Sequence, residues 1–182
     1  MMDGYLLGIL WGCCTPHHNR LLCRHKDKYY PDYVASQLGG HVRTQMSRTG
    51  IQYTVNIPIE FEELYKFGWT LRNNDVRVYP KTDDDKGFCS AWIELHHSAD
   101  LGRRKDGTRH PRLRIYGNYV LMESIESKIS IIANVGQKSI LRLHNEKSAE
   151  IYYQSYNEIT RIRDVFVRNP HISEKIGLIL SL

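Results

Sequence analysis

One stretch of this chain has no acidic residue at all. Aspartate and glutamate account for 20 of the 182 residues, yet none lies between Tyr5 and Arg24. A carboxylate site cannot be assembled from that stretch. Long apolar runs are missing too. None approaches the roughly 20 residues that span a bilayer, which excludes a conventional membrane-spanning helix. No basic segment precedes the short apolar stretch at 5–14, so a signal peptide is not expected. Cysteine is sparse, with 4 in the chain. Cys13, Cys14, Cys23 and Cys89 show no disulfide-scaffold spacing, so a reducing, cytoplasmic compartment is expected.

What is present is ordinary in amount and uneven in placement. Hydrophobic residues make up 41% and charged residues 25% of the sequence, as in a globular domain. The formal net charge is +5 and the isoelectric point about 9.0. Basic residues cluster at Arg20, Arg24, His25, Lys26 and Lys28, at Arg43 and Arg48, and from Arg103 to Arg114. Acids concentrate at Glu60, Glu62, Glu63 and at Asp83, Asp84, Asp85. That separation predicts one basic surface and one more acidic surface, and the basic one is compatible with nucleic acid.

A short pattern occurs twice. Tyr5-Leu6-Leu7-Gly8-Ile9-Leu10-Trp11-Gly12-Cys13-Cys14 opens the chain, and Phe88-Cys89-Ser90-Ala91-Trp92-Ile93-Glu94-Leu95-His96-His97 stands midway. Each reads as a helix with an aromatic start and small residues inside. After the first come a strand at 20–25, a helix at 31–38 closed by Gly39-Gly40, strands at 41–48 and 51–57 around Thr49-Gly50, and a helix opened by Pro58 with Phe61, Leu64, Tyr65 and Phe67 as its stripe. A linker at 68–86 carries turn residues, among them Asn73-Asn74-Asp75 and an Asp triplet. The order then recurs: helix at 88–97, a long basic loop at 98–111, strand at 112–116, and helix at 119–133 with Val120, Met122, Ile125, Ile129 and Ile132 inward. Strands at 138–144 and 150–156, joined at Asn145-Glu146-Lys147-Ser148, and a helix at 158–166 complete it. The predicted organisation is a first repeat at 1–67, a linker at 68–86, and a second repeat with a C-terminal tail at 87–182.

With these residues in this order, the chain resembles the LAGLIDADG homing endonucleases of the single-chain, two-repeat type. Tyr5-Leu6-Leu7-Gly8-Ile9-Leu10 is similar to the start of the family motif. Arg112-Leu113-Arg114-Ile115-Tyr116-Gly117-Asn118 before a helix is similar to the second repeat's strand and helix. The resemblance implies a mixed α/β (α+β) fold of two αββαββα halves. Two antiparallel sheets would form a saddle over double-stranded DNA, in a monomer with internal pseudo-two-fold symmetry. Gly8, Gly12 and Ala91 would line the interface between the two motif helices. Glycine inside a helix costs about 1 kcal/mol against alanine, so Gly8 and Gly12 imply close packing.

The resemblance also implies an acid near the end of each motif helix, holding Mg²⁺ beside a scissile phosphate. Here Trp11 and Cys13 stand where the first motif has aspartates. In the second, the catalytic position falls on His96 or on Glu94, depending on alignment. Glu94 is the one motif acid available as catalytic residue and metal ligand, and a buried or capping role accounts for it equally. A separate group, Cys13, Cys14, His17, His18, Cys23 and His25, has no standard zinc-finger spacing. Packing at a helix end explains its cysteines as well, so the purified protein is expected to carry no stoichiometric zinc.

If the saddle forms, its DNA-facing candidates are Arg20, Arg24, Arg43, Gln45, Arg48, Arg103, Arg104, Lys105, Arg109, Arg112, Arg114, Lys138 and Arg142. The expectation is a DNA-binding protein with lost or weakened nuclease activity. The alternatives are an active Mg²⁺-dependent homing endonuclease, drawing on Glu94 with Asp100 or Asp27, and an RNA-binding, maturase-like splicing helper.

Overall fold

The computed structural model describes residues 2–18, 20–70, 77–143 and 148–181. The expected turn residues Asn73, Asn74, Asp75 and Asn145 to Lys147 lie outside these, as does the side chain of Phe61. Among the described residues the first half runs α1 (Gly4–Cys13), β1 (Cys14–His17), β2 (Arg20–His25), α2 (Tyr29–Leu38), β3 (Arg43–Ser47), β4 (Gly50–Ile57) and α3 (Phe61–Tyr65). The second runs α4 (Asp85–Leu95), β5 (His97–Arg103), β6 (Arg109–Asn118), α5 (Tyr119–Ile132), β7 (Leu141–Arg142), β8 (Ser148–Tyr153) and α6 (Tyr156–Phe166), followed by α7 (Pro170–Leu180). The order αββαββα therefore occurs twice. The two sheets are four-stranded and antiparallel, ordered β1-β2-β4-β3 and β5-β6-β8-β7. No helix among the described residues is long and apolar enough to cross a membrane.

The two motif helices form the centre. Every residue of α1 is buried, so it is apolar all round rather than amphipathic. Both helices begin at an aspartate. Asp3 accepts from the Leu6 N–H at 2.8 Å, and Asp84 from the Gly87 N–H at 2.8 Å. The second oxygen of Asp84 accepts from the Gly4 N–H at 3.0 Å, so one carboxylate serves the positive ends of both helices. The helices then run side by side. A Cβ on Gly8 would stand 2.6 Å from the Ala91 Cβ, and one on Gly12 2.6 Å from Leu95 Cδ1. A Cβ on Gly4 would meet the Asp84 carbonyl, and one on Gly87 the Tyr5 nitrogen at 2.6 Å. Small residues four apart on each helix bring the backbones into contact.

Each sheet covers this helical layer with one face only. In the first, Cys14, Cys23, Val55 and Ile57 point inward and are buried. In the second, Leu113, Ile115, Ala149, Ile151 and Tyr153 do the same. Antiparallel sheets tolerate this asymmetry because alternate residues serve a dry and a wet face. Two glycines set the turns: Gly39 ends α2 at φ 78 with its N–H on the Ala35 carbonyl, and Gly50 opens β4 at φ 109.

Several expectations change. The long basic loop at 98–111 is a β-hairpin, since His97 to Arg103 pair with Ile115 to Arg109. Gly102 and Pro111 read as loop residues. A Cβ on Gly102 would stand 2.7 Å from the side chains of His110 and Arg112, so the glycine belongs to a crowded strand pair. Strand β1 went unread because Pro16 interrupts it; it sits at the sheet edge, where proline is tolerated. The strand expected at 138–144 contracts to Leu141–Arg142. Tyr65 and Val120, expected inward, are exposed. The C-terminal tail forms α7, with Pro170 in its first turn and the Asn169 side chain accepting from the His171 N–H at 3.0 Å.

Candidate nucleic-acid interface

The outer faces of the two sheets are the surfaces left uncovered by helices. Register places Thr15, His17, Arg20, Leu22, Arg24, Gln52, Thr54, Asn56, Arg43 and Gln45 together on the outside of the first sheet. On the second, the same parity groups Ser98, Asp100, His110, Arg112, Arg114, Tyr116, Glu150 and Tyr152. The charge on these strands is one-sided. Their cations are all arginines: Arg20, Arg24, Arg43, Arg103, Arg109, Arg112, Arg114 and Arg142. The acids in them are Asp100 and Glu150. Arginine presents a planar fork of donors that matches phosphates and guanine edges, whereas lysine offers a point charge.

Asp100 holds two of these arginines. Its carboxylate accepts from Arg112 Nε at 2.6 Å and Nη2 at 3.0 Å, and from Arg114 Nη2 at 2.8 Å. The hydrogen bond from Arg112 leads in holding the Asp100 carboxyl below its ordinary range. Asp100 therefore orients arginines and is not a spare metal ligand. Beyond it, Arg103, Arg104, Lys105 and Arg109 crowd the exposed tip of the β5–β6 hairpin. The tip is closed by hydrogen bonds from the Arg104 N–H to Thr108 and from the Gly107 N–H to Arg104. Arg48 lies in the exposed turn between β3 and β4.

Two candidates belong elsewhere. Lys138 donates to Glu158 at 2.7 Å and lies over the Tyr153 ring on the helical side. Arg142 is paired with Ala149, an inward residue, and its guanidinium sits 3.8 Å from the centre of the Tyr119 ring. Both point away from the outer face. Thr15, His17, Gln52, Asn56, Tyr116 and Tyr152 share those outer faces, and being uncharged they carry no signal in the linear charge pattern. Only strand register reveals them.

At the ends of the motif helices the geometry resolves the alignment of the two copies. Gly4 packs against Phe88, and Gly87 against Tyr5, so Gly4 corresponds to Gly87 and Tyr5 to Phe88. Continuing the count pairs Gly8 with Ala91, Trp11 with Glu94, Cys13 with His96 and Cys14 with His97. Glu94 thus stands at the position of Trp11, two residues before the terminal motif position held by Cys13 and His96. Its surroundings agree. It is buried, and its carboxylate accepts from the Tyr5 hydroxyl, the Arg168 N–H, and the Asn169 N–H at 2.8 Å. Burial pushes its pKa up, against the donors that surround it. Trp11 does a similar job in the first half, donating from its indole to the Val78 carbonyl at 3.2 Å under the Arg77 guanidinium. In both halves this position fastens the chain that follows the third helix. Asp27, another candidate acid, accepts from the Asn169 side chain at 2.9 Å and from the Tyr29 N–H, and is equally committed.

The positions at the helix ends hold Cys13 and His96. His96 stacks on Trp92 with ring centres 4.1 Å apart. A thiol and an imidazole are poor partners for Mg²⁺, which selects hard oxygen ligands. With Glu94, Asp27 and Asp100 engaged, the donors present do not fit that ion.

No protein-family model matches the sequence, and no curated protein matches it. Solved structures do match. The LAGLIDADG homing endonuclease I-LtrWI, bound to target DNA, is 9% identical, with a TM-score of 0.63 over 97% of this chain and 88% of its own. The LAGLIDADG meganuclease I-CpaMI, bound to uncleaved DNA, is 13% identical, with a TM-score of 0.63 over 97% and 89%. The N-terminal LAGLIDADG domain of DUF199/WhiA is 11% identical, with a TM-score of 0.58 over 93% and 83%. The doubled αββαββα order, the abutting motif helices and these matches give the chain the fold of the LAGLIDADG homing endonucleases.

Proposed function

We infer that the protein is a monomer that binds double-stranded DNA along the outer faces of its two sheets, without cutting both strands. The observation that carries this reading is that the strand cations on those faces are arginines, Arg20, Arg24, Arg43, Arg112 and Arg114, opposed by two acids, one of which orients arginines. Arg20, Arg24 and Arg43, with Gln45, Gln52 and Asn56, offer a mixed set for phosphates and base edges. A two-stranded ribbon fits the major groove, so β5–β6 with its basic tip supplies one reader and β3–β4 another. The DNA-bound state of I-LtrWI and I-CpaMI supports the same use of the shared fold. Loss of cleavage rests on Cys13 and His96 at the terminal motif positions and on the full engagement of Glu94.

The test is a gel-retardation and cutting assay on randomised duplexes. Retardation at low salt, a recoverable site preference, and intact DNA after incubation with Mg²⁺ or Mn²⁺ are expected. Site-specific double-strand breaks abolished by Glu94→Gln would restore the nuclease reading. Tight binding to a structured RNA with no duplex shift would replace it with the splicing-helper reading.

A further inference from the structure

DNA binding makes no use of a second feature at the end of α1. Cys13 is the last residue of that helix, Cys14 the first of β1, and Cys23 the register partner of Cys14 on β2. The turn from helix to strand swings two consecutive thiols together and sets them against a third. All three sulfur atoms lie within 4.8 Å of one another, with Cys13 and Cys23 Sγ 3.5 Å apart. We propose that Cys13, Cys14 and Cys23 form a three-thiolate site for a single soft metal ion, of which Zn²⁺ is the physiological representative.

Zn–S bonds of about 2.3 Å at tetrahedral angles put sulfurs roughly 3.8 Å apart, so the trio needs adjustments of about 1 Å at most. Cys14 and Cys23 are wholly buried and Cys13 is 9% exposed, which leaves one approach, past Cys13. A water from that side completes the tetrahedron, in the open style of three-ligand zinc sites. Loading displaces three thiol protons to solvent, and the dication offsets two of the three thiolate charges, leaving one net negative charge on the site. The proposed site departs from the expectation, drawn from sequence spacing, of no stoichiometric zinc. His17 and His25 are not needed, because register rather than spacing assembles the ligands. It also explains why the terminal motif position tolerates a thiol: a soft-metal staple joins α1 to β1 and β2.

The test uses the full chain, stripped with a chelator, kept reduced with a phosphine, and titrated with Co²⁺ and then Zn²⁺. One equivalent of Co²⁺ is expected to give an intense sulfur-to-metal band in the near ultraviolet and tetrahedral bands in the visible, both bleached by Zn²⁺. Cys13→Ser and Cys23→Ser should each lose most of the affinity, while Cys89→Ser, distant from the trio, keeps it. Should a variant unfold by circular dichroism, the wild type decides alone: Zn²⁺ must protect Cys13, Cys14 and Cys23, and not Cys89, from alkylation read by peptide mass. Absence of the charge-transfer band at equimolar metal, its persistence in both serine variants, or lack of selective protection overturns the site.

Discussion

Glu94 shows how one residue can be read two ways from sequence and one way from structure. As an isolated acid in a motif helix it invites a metal. In place it is a buried hub for Tyr5, Arg168 and Asn169, joining α4 to the start of α7. Glu94→Ala leaves three donors without a partner, two of them buried. Each costs about 1–3 kcal/mol, so thermal unfolding should show a loss of several kcal/mol and early release of α7. The pH dependence has a definite sign. Burial raises the folded-state pKa above the unfolded value, so this group's favourable contribution is full below the unfolded pKa and is lost as pH rises through the folded one. Wild type should therefore gain stability relative to Glu94→Gln as pH falls through the raised folded-state pKa of Glu94 towards its ordinary value, measured by denaturant midpoints. A constant difference across that range would contradict a raised Glu94 pKa. The buried role was legible as a possibility in the sequence. The deciding signal, the pairing of Glu94 with Trp11 rather than with Cys13, needed the contacts of Gly4 and Gly87.

The elements were largely legible because glycine, proline and apolar periodicity mark them. Strand β2, α5 and α6 fall where their residues predict, and both motif helices were found from their apolar runs. The failures have separate causes: Pro16 hides β1, and β5 lacks a run of bulky inward residues. His97 to Arg103 carries Ala99 and Leu101 as its only apolar residues, with Gly102 beside them, and so resembles a loop. Packing of α1 on α4 yields the sharpest test at this scale. Gly8→Val forces atoms into a gap already 2.6 Å from Ala91 Cβ at the first carbon, and should cost about 1–3 kcal/mol or more by chemical denaturation. Ala91→Gly in the same background should recover part of it. At the β5–β6 hairpin, Arg104→Ala with Lys105→Ala should weaken binding to all duplexes about equally, because tip residues meet phosphates. Arg112→Ala should instead relax sequence preference, since Asp100 holds that guanidinium in a fixed orientation. Competition binding against a randomised pool separates the two outcomes.

At the scale of the molecule, the chain divides its surfaces. Helices and inward strand residues bury one side of each sheet, and Arg20, Arg24, Arg43, Arg112 and Arg114 are left on the other. Lys138 and Arg142 were misassigned because linear charge cannot tell one face from the other; Glu158 and Tyr119 claim them. The central claim is that duplex DNA is bound by the outer faces and not by positive charge in general. The most direct measurement is the salt dependence of duplex affinity for wild type, for Arg20→Ala/Arg24→Ala/Arg43→Ala on the outer face, and for Arg161→Ala/Lys175→Ala on the helical side. Net charge falls in both variants, yet only the outer-face set should lose affinity and flatten the slope of log K against log salt, by roughly 0.9 per phosphate contact removed. Equal losses in the two variants, or an unchanged slope in the outer-face variant, would contradict the account.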